Sequence, residues 1–219
     1  MTLTRSGFAA ARNGFRFINS FQLPFPPTIQ LPLVGDVNLN KVVYGLCGGM
    51  CFATLDYYYA GLPVPDYEKV DDLPFSYLLY LWDRQLDTLG LVGIPKVIEW
   101  MVQTDRTLAT RTARSEVPKI RRQLDRGEPV VLCLIRGKGL SDPTVNHQAL
   151  VVGYDFDEPS RQLTLFLCDP NYPQQETTLT MNLAHPSQGL QAIHSTGETM
   201  RGCYIMPYFW QPPPLGDNI

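Results

Sequence analysis

The sequence predicts an α+β fold in which helices come first and a mostly antiparallel sheet follows. Three observations predict it. Segments bounded by helix start and stop residues occupy much of the stretch 48–126, and β-branched runs replace them after Gly127. The third is composition: 219 residues with 44% apolar and 11% aromatic side chains can build one core and exclude a disordered chain. Runs of helices followed by runs of neighbouring strands are the α+β pattern.

Element by element, residues 1–40 are rich in Phe, Pro and Asn and read as an extended N-terminal wrap, 41–210 as the body, and 211–219, with Pro212 to Pro214, as a flexible tail. Helices are expected over 48–60, stopped by Gly61 and Pro63, and over 75–89, between Pro74 and Gly90. A short helix follows at 95–102, with Pro95 in its first turn, and another at 116–126, with Ser115 as cap and Gly127 as stop. Strands are expected at 130–135, 147–154, 163–168, 177–181 and 203–208.

Eighteen basic against twenty-one acidic residues leave a net charge of −3, too balanced for a dedicated nucleic-acid or anionic-membrane binder. No apolar run approaches the ~20 residues of a membrane span. The N-terminus scatters Arg5, Arg12 and Arg16 where a signal peptide needs an apolar stretch, so a cytoplasmic chain is expected. Five cysteines (Cys47, Cys51, Cys133, Cys168, Cys203), odd in number and sparse, read as reduced thiols.

The segment Gly45-Leu-Cys-Gly-Gly-Met-Cys-Phe-Ala places Cys47 directly before a helix. Helix-start amides and the positive end of the dipole favour a thiolate there. Gly48 and Gly49 leave room for a carbonyl substrate, and their amides are candidate oxyanion donors. Cys51, one turn on, is the alternative sulfur; a buried core thiol is the bland reading of either. Downstream, His147 opens a strand and Asp169 follows the next one. If the hairpin between them closes through Asp155 and Arg161, His147 and Asp169 fall opposite each other on one face. A carboxylate there fixes the imidazole tautomer and leaves the other nitrogen for a thiol proton. Asn171 shares the parity of Asp169 and is the reserve orienter. His185 and His194 lie in turn-like sequence and read as surface residues. A zinc site at Cys47, Cys51 and His147 lacks a second Cys-x-x-Cys pair, so no metal is expected.

These residues sit in ordered blocks that resemble the papain-like cysteine peptidase superfamily, most of all the stand-alone form of the double-glycine (bacteriocin) leader peptidase-like branch. The blocks are Cys47-Gly-Gly-Met-Cys-Phe-Ala53, Leu124-Asp-Arg-Gly-Glu-Pro-Val130, His147 through Gly153-Tyr-Asp155, and Asp169-Pro170, spread over residues 40–175. The resemblance implies a papain-like fold whose nucleophile helix packs on the sheet and a Cys47–His147–Asp169 triad. It also implies a peptide or small amide or acyl substrate and no cofactor. In papain itself the nucleophile is the second Cys of a Cys-x-x-Cys-(aromatic)-Ala run, which keeps Cys51-Phe52-Ala53 as a competing alignment. The family supplies an oxyanion-hole Gln shortly before the Cys, and 36–46 contains none. Asn40 (with Asn38) or the more distant Gln30 would have to substitute. One lost oxyanion donor costs ~10²–10³ in rate, so an inactive binding scaffold is the alternative to a thiol hydrolase, and an acyltransferase would use the same triad.

Overall fold

The computed structural model describes residues 2–21, 28–31, 35–38, 45–90 and 93–215, with 28–31 and 35–38 described as backbone only. The N-terminal part carries β1 (Thr2–Arg5), α1 (Ala10–Asn13) and a hairpin of β2 (Thr28–Leu31) and β3 (Gly35–Asn38). The helical part follows: α2 (Cys47–Ala60), α3 (Phe75–Leu89), α4 (Gly93–Met101), α5 (Asp105–Arg111) and α6 (Val117–Leu124). The strands are β4 (Val130–Ile135), β5 (His147–Asp157), β6 (Gln162–Cys168), β7 (Glu176–Asn182), β8 (Ala192–His194), β9 (Thr199–Met200) and β10 (Gly202–Ile205). The large sheet runs β10-β4-β5-β6-β7-β8-β9, and its described pairs are all antiparallel. β1 adds to the far half of β5, continuing the edge that β4 occupies at its start. The α+β expectation is met, with the helices of 47–124 ahead of the main strands. Residues 1–40, expected as an extended wrap, also supply β1 to the large sheet and the β2–β3 hairpin. No described helix is long and apolar enough to cross a membrane.

The continuous apolar run of β4 has a direct cause, because both faces of that strand are covered. Val130, Leu132 and Leu134 pack with Val117, Ile120 and Leu124 of α6 on one side. Val131, Cys133 and Ile135 meet Cys51, Phe52 and Leu55 of α2 and Val97 and Trp100 of α4 on the other. Cys203 of β10 and Ala192 and Met200 of β8 and β9 come from opposite ends of the sheet yet share the α6-side cluster, so the sheet curls around it. A third cluster sets Phe15, Phe17 and Phe21 against Met50, Ala53 and Tyr57 of α2 and Tyr77 and Leu81 of α3. Each such buried aromatic contributes about 1.5–3 kcal/mol. The N-terminal segment thereby fixes the position of the helix that begins at Cys47.

Helix ends follow the sequence signals where those are local. Gly61 adopts a left-handed φ of 69°; its N–H and that of Leu62 return to Tyr58 and Tyr57 carbonyls, closing α2 in a Schellman motif. α3 has the expected bounds. The 116–126 helix needs correction. Thr104 caps α5, accepting the Thr107 N–H at 3.2 Å, and a π-turn at Thr112–Glu116 joins α5 to α6. Ser115 therefore sits inside a longer helical stretch and caps nothing. The last strand also ends earlier than 208, at Ile205.

After β10 the chain crosses back over α2 and α3. There Asp56, 0% exposed, forms an ion pair with the equally buried Arg84 at 2.7 Å. Asp56 also accepts from Tyr80 and Tyr208 hydroxyls at 2.7 and 2.8 Å and from the Gln211 N–H at 3.0 Å. Tyr57 Oη donates to the Pro214 carbonyl at 2.9 Å. Residues 211–214, expected as the start of a loose tail, are thus tied to the nucleophile helix.

Candidate active site

Three elements converge on the candidate site: the first turn of α2, the start of β5 and the end of β6. β5 and β6 do not keep one register. Gly153 pairs with Phe166, but Val151 pairs with Leu167, so Val152 is an extra residue. The hairpin also closes at Asp157–Gln162 and not through Asp155 and Arg161, which corrects the assumed register. Carried straight through without the bulge, the register near the turn would put His147 and Asp169 on opposite faces. The bulge shifts it by one and returns them to the same face as diagonal neighbours. Their contact is direct: His147 Nε2 lies 2.8 Å from Asp169 Oδ1.

With Nε2 engaged by the acid, Nδ1 is the nitrogen left for the sulfur, the reverse of serine-protease triads, whose acid holds Nδ1. The His147 ring is hydrogen-bonded to Cys47, and the Gln148 backbone N–H donates to the same sulfur. Burial opposes ionisation of Cys47, but the His147 hydrogen bond, the His147 charge and the Gln148 N–H outweigh it and hold the thiol below its ordinary value. Burial likewise disfavours an imidazolium at His147; the hydrogen bonds to Asp169 and Cys47, with their charges, push it up to about 10. Burial would raise Asp169 too, yet His147, His194 and the Asn171 N–H keep its carboxyl well below the usual carboxylate range. The arrangement favours a thiolate–imidazolium pair on a partly exposed sulfur. Cys51 is 2% exposed, and burial with the charges of Cys47, Cys168 and Asp169 drives its thiol well up. Burial also pushes Cys168 up to about 12.

The glycines after Cys47 serve packing first. A Cβ on Gly49 would lie 2.3 Å from the Leu81 carbonyl, so α2 and α3 could not approach as they do. The Gly49 N–H donates to Gln85 Oε1 at 2.8 Å and is therefore spent, which removes it as an oxyanion donor. A Cβ on Gly48 would meet Thr88 Oγ1 at 2.6 Å and the Gln148 side-chain amide at 2.7 Å. Gln148 and Thr88 are buried and hydrogen-bonded to each other at 3.2 Å, a polar pair the sequence reading passed over. Asn40 lies outside the described residues. Gln30 is described by backbone alone, opposite Asp36 in the β2–β3 hairpin.

Asn171 is not an orienter through its side chain. Its backbone N–H donates to Asp169 Oδ1 at 2.8 Å, while its side-chain carbonyl accepts from Asn19 at 2.9 Å. His194 requires the larger correction: read as a surface residue, it is 2% exposed, and its Nε2 lies 3.4 Å from Asp169 Oδ2. The signal His194-Ser-Thr-Gly indicated a turn, which is present, but a turn signal carries no information on what the turn packs against. No protein-family model, curated protein or solved structure matches this chain.

Proposed function

We propose that the protein is a papain-like thiol hydrolase acting on an amide, peptide or thioester bond through Cys47, His147 and Asp169. The observation that carries this is a partly exposed, ionisable sulfur hydrogen-bonded to an imidazole whose other nitrogen is held by a buried carboxylate. The order of sequence blocks and the α+β architecture with the nucleophile helix against the sheet are consistent with a papain-like fold. In the proposed reaction Cys47 Sγ attacks the carbonyl carbon, and the electron pair of the C=O bond moves to oxygen. As the tetrahedral intermediate collapses, His147 gives its proton to the departing amine or thiol, leaving a thioester on Cys47. His147 then takes a proton from water, the hydroxide attacks, and a carboxylic acid leaves. An amine in place of water makes the same site an acyltransferase.

Incubation with a small activated acyl ester, followed by intact-mass measurement, tests the proposal. One acyl group should appear on the unmutated chain and on Cys51→Ala, and none on Cys47→Ala. Acylation lost only in Cys51→Ala would move the nucleophile one turn on. No adduct on any chain would return the scaffold to binding, the reading that the missing upstream Gln favours.

A further inference from the structure

We propose that His194 is a positioning residue for this site, holding the second oxygen of Asp169 so that the first stays aimed at His147. The inference rests on the function proposed above. Asp169 Oδ1 is shared between His147 Nε2 and the Asn171 N–H, both at 2.8 Å. A carboxylate held only there could still turn about its Cα–Cβ–Cγ bonds; Oδ2 needs its own partner, and His194 Nε2 is 3.4 Å away.

The β8–β9 hairpin fixes the tautomer this requires. The Gly197 N–H returns to the His194 carbonyl at 2.8 Å, and Gly197 has a φ of 91° that favours glycine. The turn brings the Thr196 backbone N–H onto His194 Nδ1 at 3.3 Å and the Thr196 hydroxyl, which can donate or accept, to 2.7 Å from the same nitrogen. An N–H can only donate, so Nδ1 is the acceptor and Nε2 carries the proton. Nε2 is hydrogen-bonded to Thr177 Oγ1 at 3.2 Å, and Asp169 Oδ2 lies 3.4 Å from the same nitrogen, within ion-pair distance. Leu179 of β7 pairs with His194, which sets the ring's depth, and the Tyr172 ring packs against it at 5.8 Å between centroids. The titratable groups acting on Asp169 or bordering it are His147 on β5, Cys47 and Cys51 on α2, Cys168 on β6, and His194.

Two substitutions of similar polarity and different reach test this. The amide nitrogen of Gln can occupy the place of Nε2, whereas that of Asn reaches only the place of Nδ1. The readout is alkylation of Cys47 by neutral iodoacetamide, which reports thiolate, and by anionic iodoacetate, which also responds to the imidazolium. His194→Asn should slow both reactions about tenfold, the worth of one lost hydrogen bond to a charged group. It should also move the pH at which the iodoacetate advantage disappears at least one unit lower. His194→Gln should stay within about threefold of the unmutated chain, by the same allowance for a retained hydrogen bond. Asn and Gln variants that behave alike, with a reactive unmutated Cys47, overturn the positioning role alone. An unmutated Cys47 no faster than a simple thiol overturns the proposed function and this role with it. Imidazole ¹⁵N NMR of the unmutated chain needs no variant to fold: an Nε2-protonated His194 supports the role, and an Nδ1-protonated one overturns it.

Discussion

Replacing Cys47 with alanine should turn a pH-independent contribution to stability into a declining one. In the folded chain, once the thiol has ionised, Cys47 and His147 together hold one proton and keep it until His147 titrates at about 10. Unfolded, the same groups hold two protons below about pH 6.5, one up to about 8.5 and none above. Between those values the two states bind equal numbers, and the pair adds no slope. In Cys47→Ala the folded His147 still holds its proton through Asp169, while the unfolded imidazole releases its own above about 6.5. A raised folded value gives stability that is full below the unfolded value and is lost as pH rises through the folded one. The variant's stability should therefore fall by about 1.4 kcal/mol per pH unit relative to the unmutated chain. Across pH 6.5–8.5 that accumulates to at most about 2–3 kcal/mol, over the part of the range in which the folded Cys47 is ionised and His147 in the variant keeps its proton. Urea unfolding of both chains at half-unit steps gives the difference directly, and the other titrating groups cancel in it. A difference that stays flat from pH 6.5 to 8.5 would refute the ion pair.

Two further outcomes test the framework that positions the site. Gly49→Ala should destabilise by about 1–3 kcal/mol despite the better helix propensity of alanine, because the new methyl meets the Leu81 carbonyl and the Gln85 backbone; a gain in denaturation midpoint would mean that α2 and α3 are not so close. Asp56→Ala removes the buried carboxylate beside Arg84, leaving it the half-exposed Asp87 and the Phe209 carbonyl, and also strips the acceptor from Tyr80, Tyr208 and Gln211. It should cost about 3–5 kcal/mol, a melting shift of roughly 10 °C by calorimetry, where a shift within 2 °C would deny the buried pair.

Most of the fold was legible where a signal is local and repeated. The run Val130–Ile135 and the helix Phe75–Leu89 have the bounds the sequence assigned, because an apolar stretch covered on both faces and a Pro-to-Gly frame depend little on distant neighbours. The pairing of His147 with Asp169 was legible as residue types and parity, but its register was not. The extra residue at Val152 is marked only by the glycine beside it, Gly153, and a glycine inside a strand pattern suggests a bulge without saying by how much the register moves. The helix cap was misplaced because a π-turn carries the chain past Ser115. His194 and the Asp56–Arg84 pair were invisible for a common reason. Their burial comes from strands and segments far along the chain, and a turn-forming His or a charged helix residue reads as solvated until those neighbours are in place.

The most direct test of the account is the second-order rate of Cys47 alkylation by iodoacetamide near pH 6, where a simple thiol is almost wholly protonated, in the unmutated chain and in His147→Gln. A lowered Cys47 predicts a rate well above that of a simple thiol at this pH, falling at least tenfold in the variant. A rate equal to that of a simple thiol, or one indifferent to the loss of His147, would contradict it.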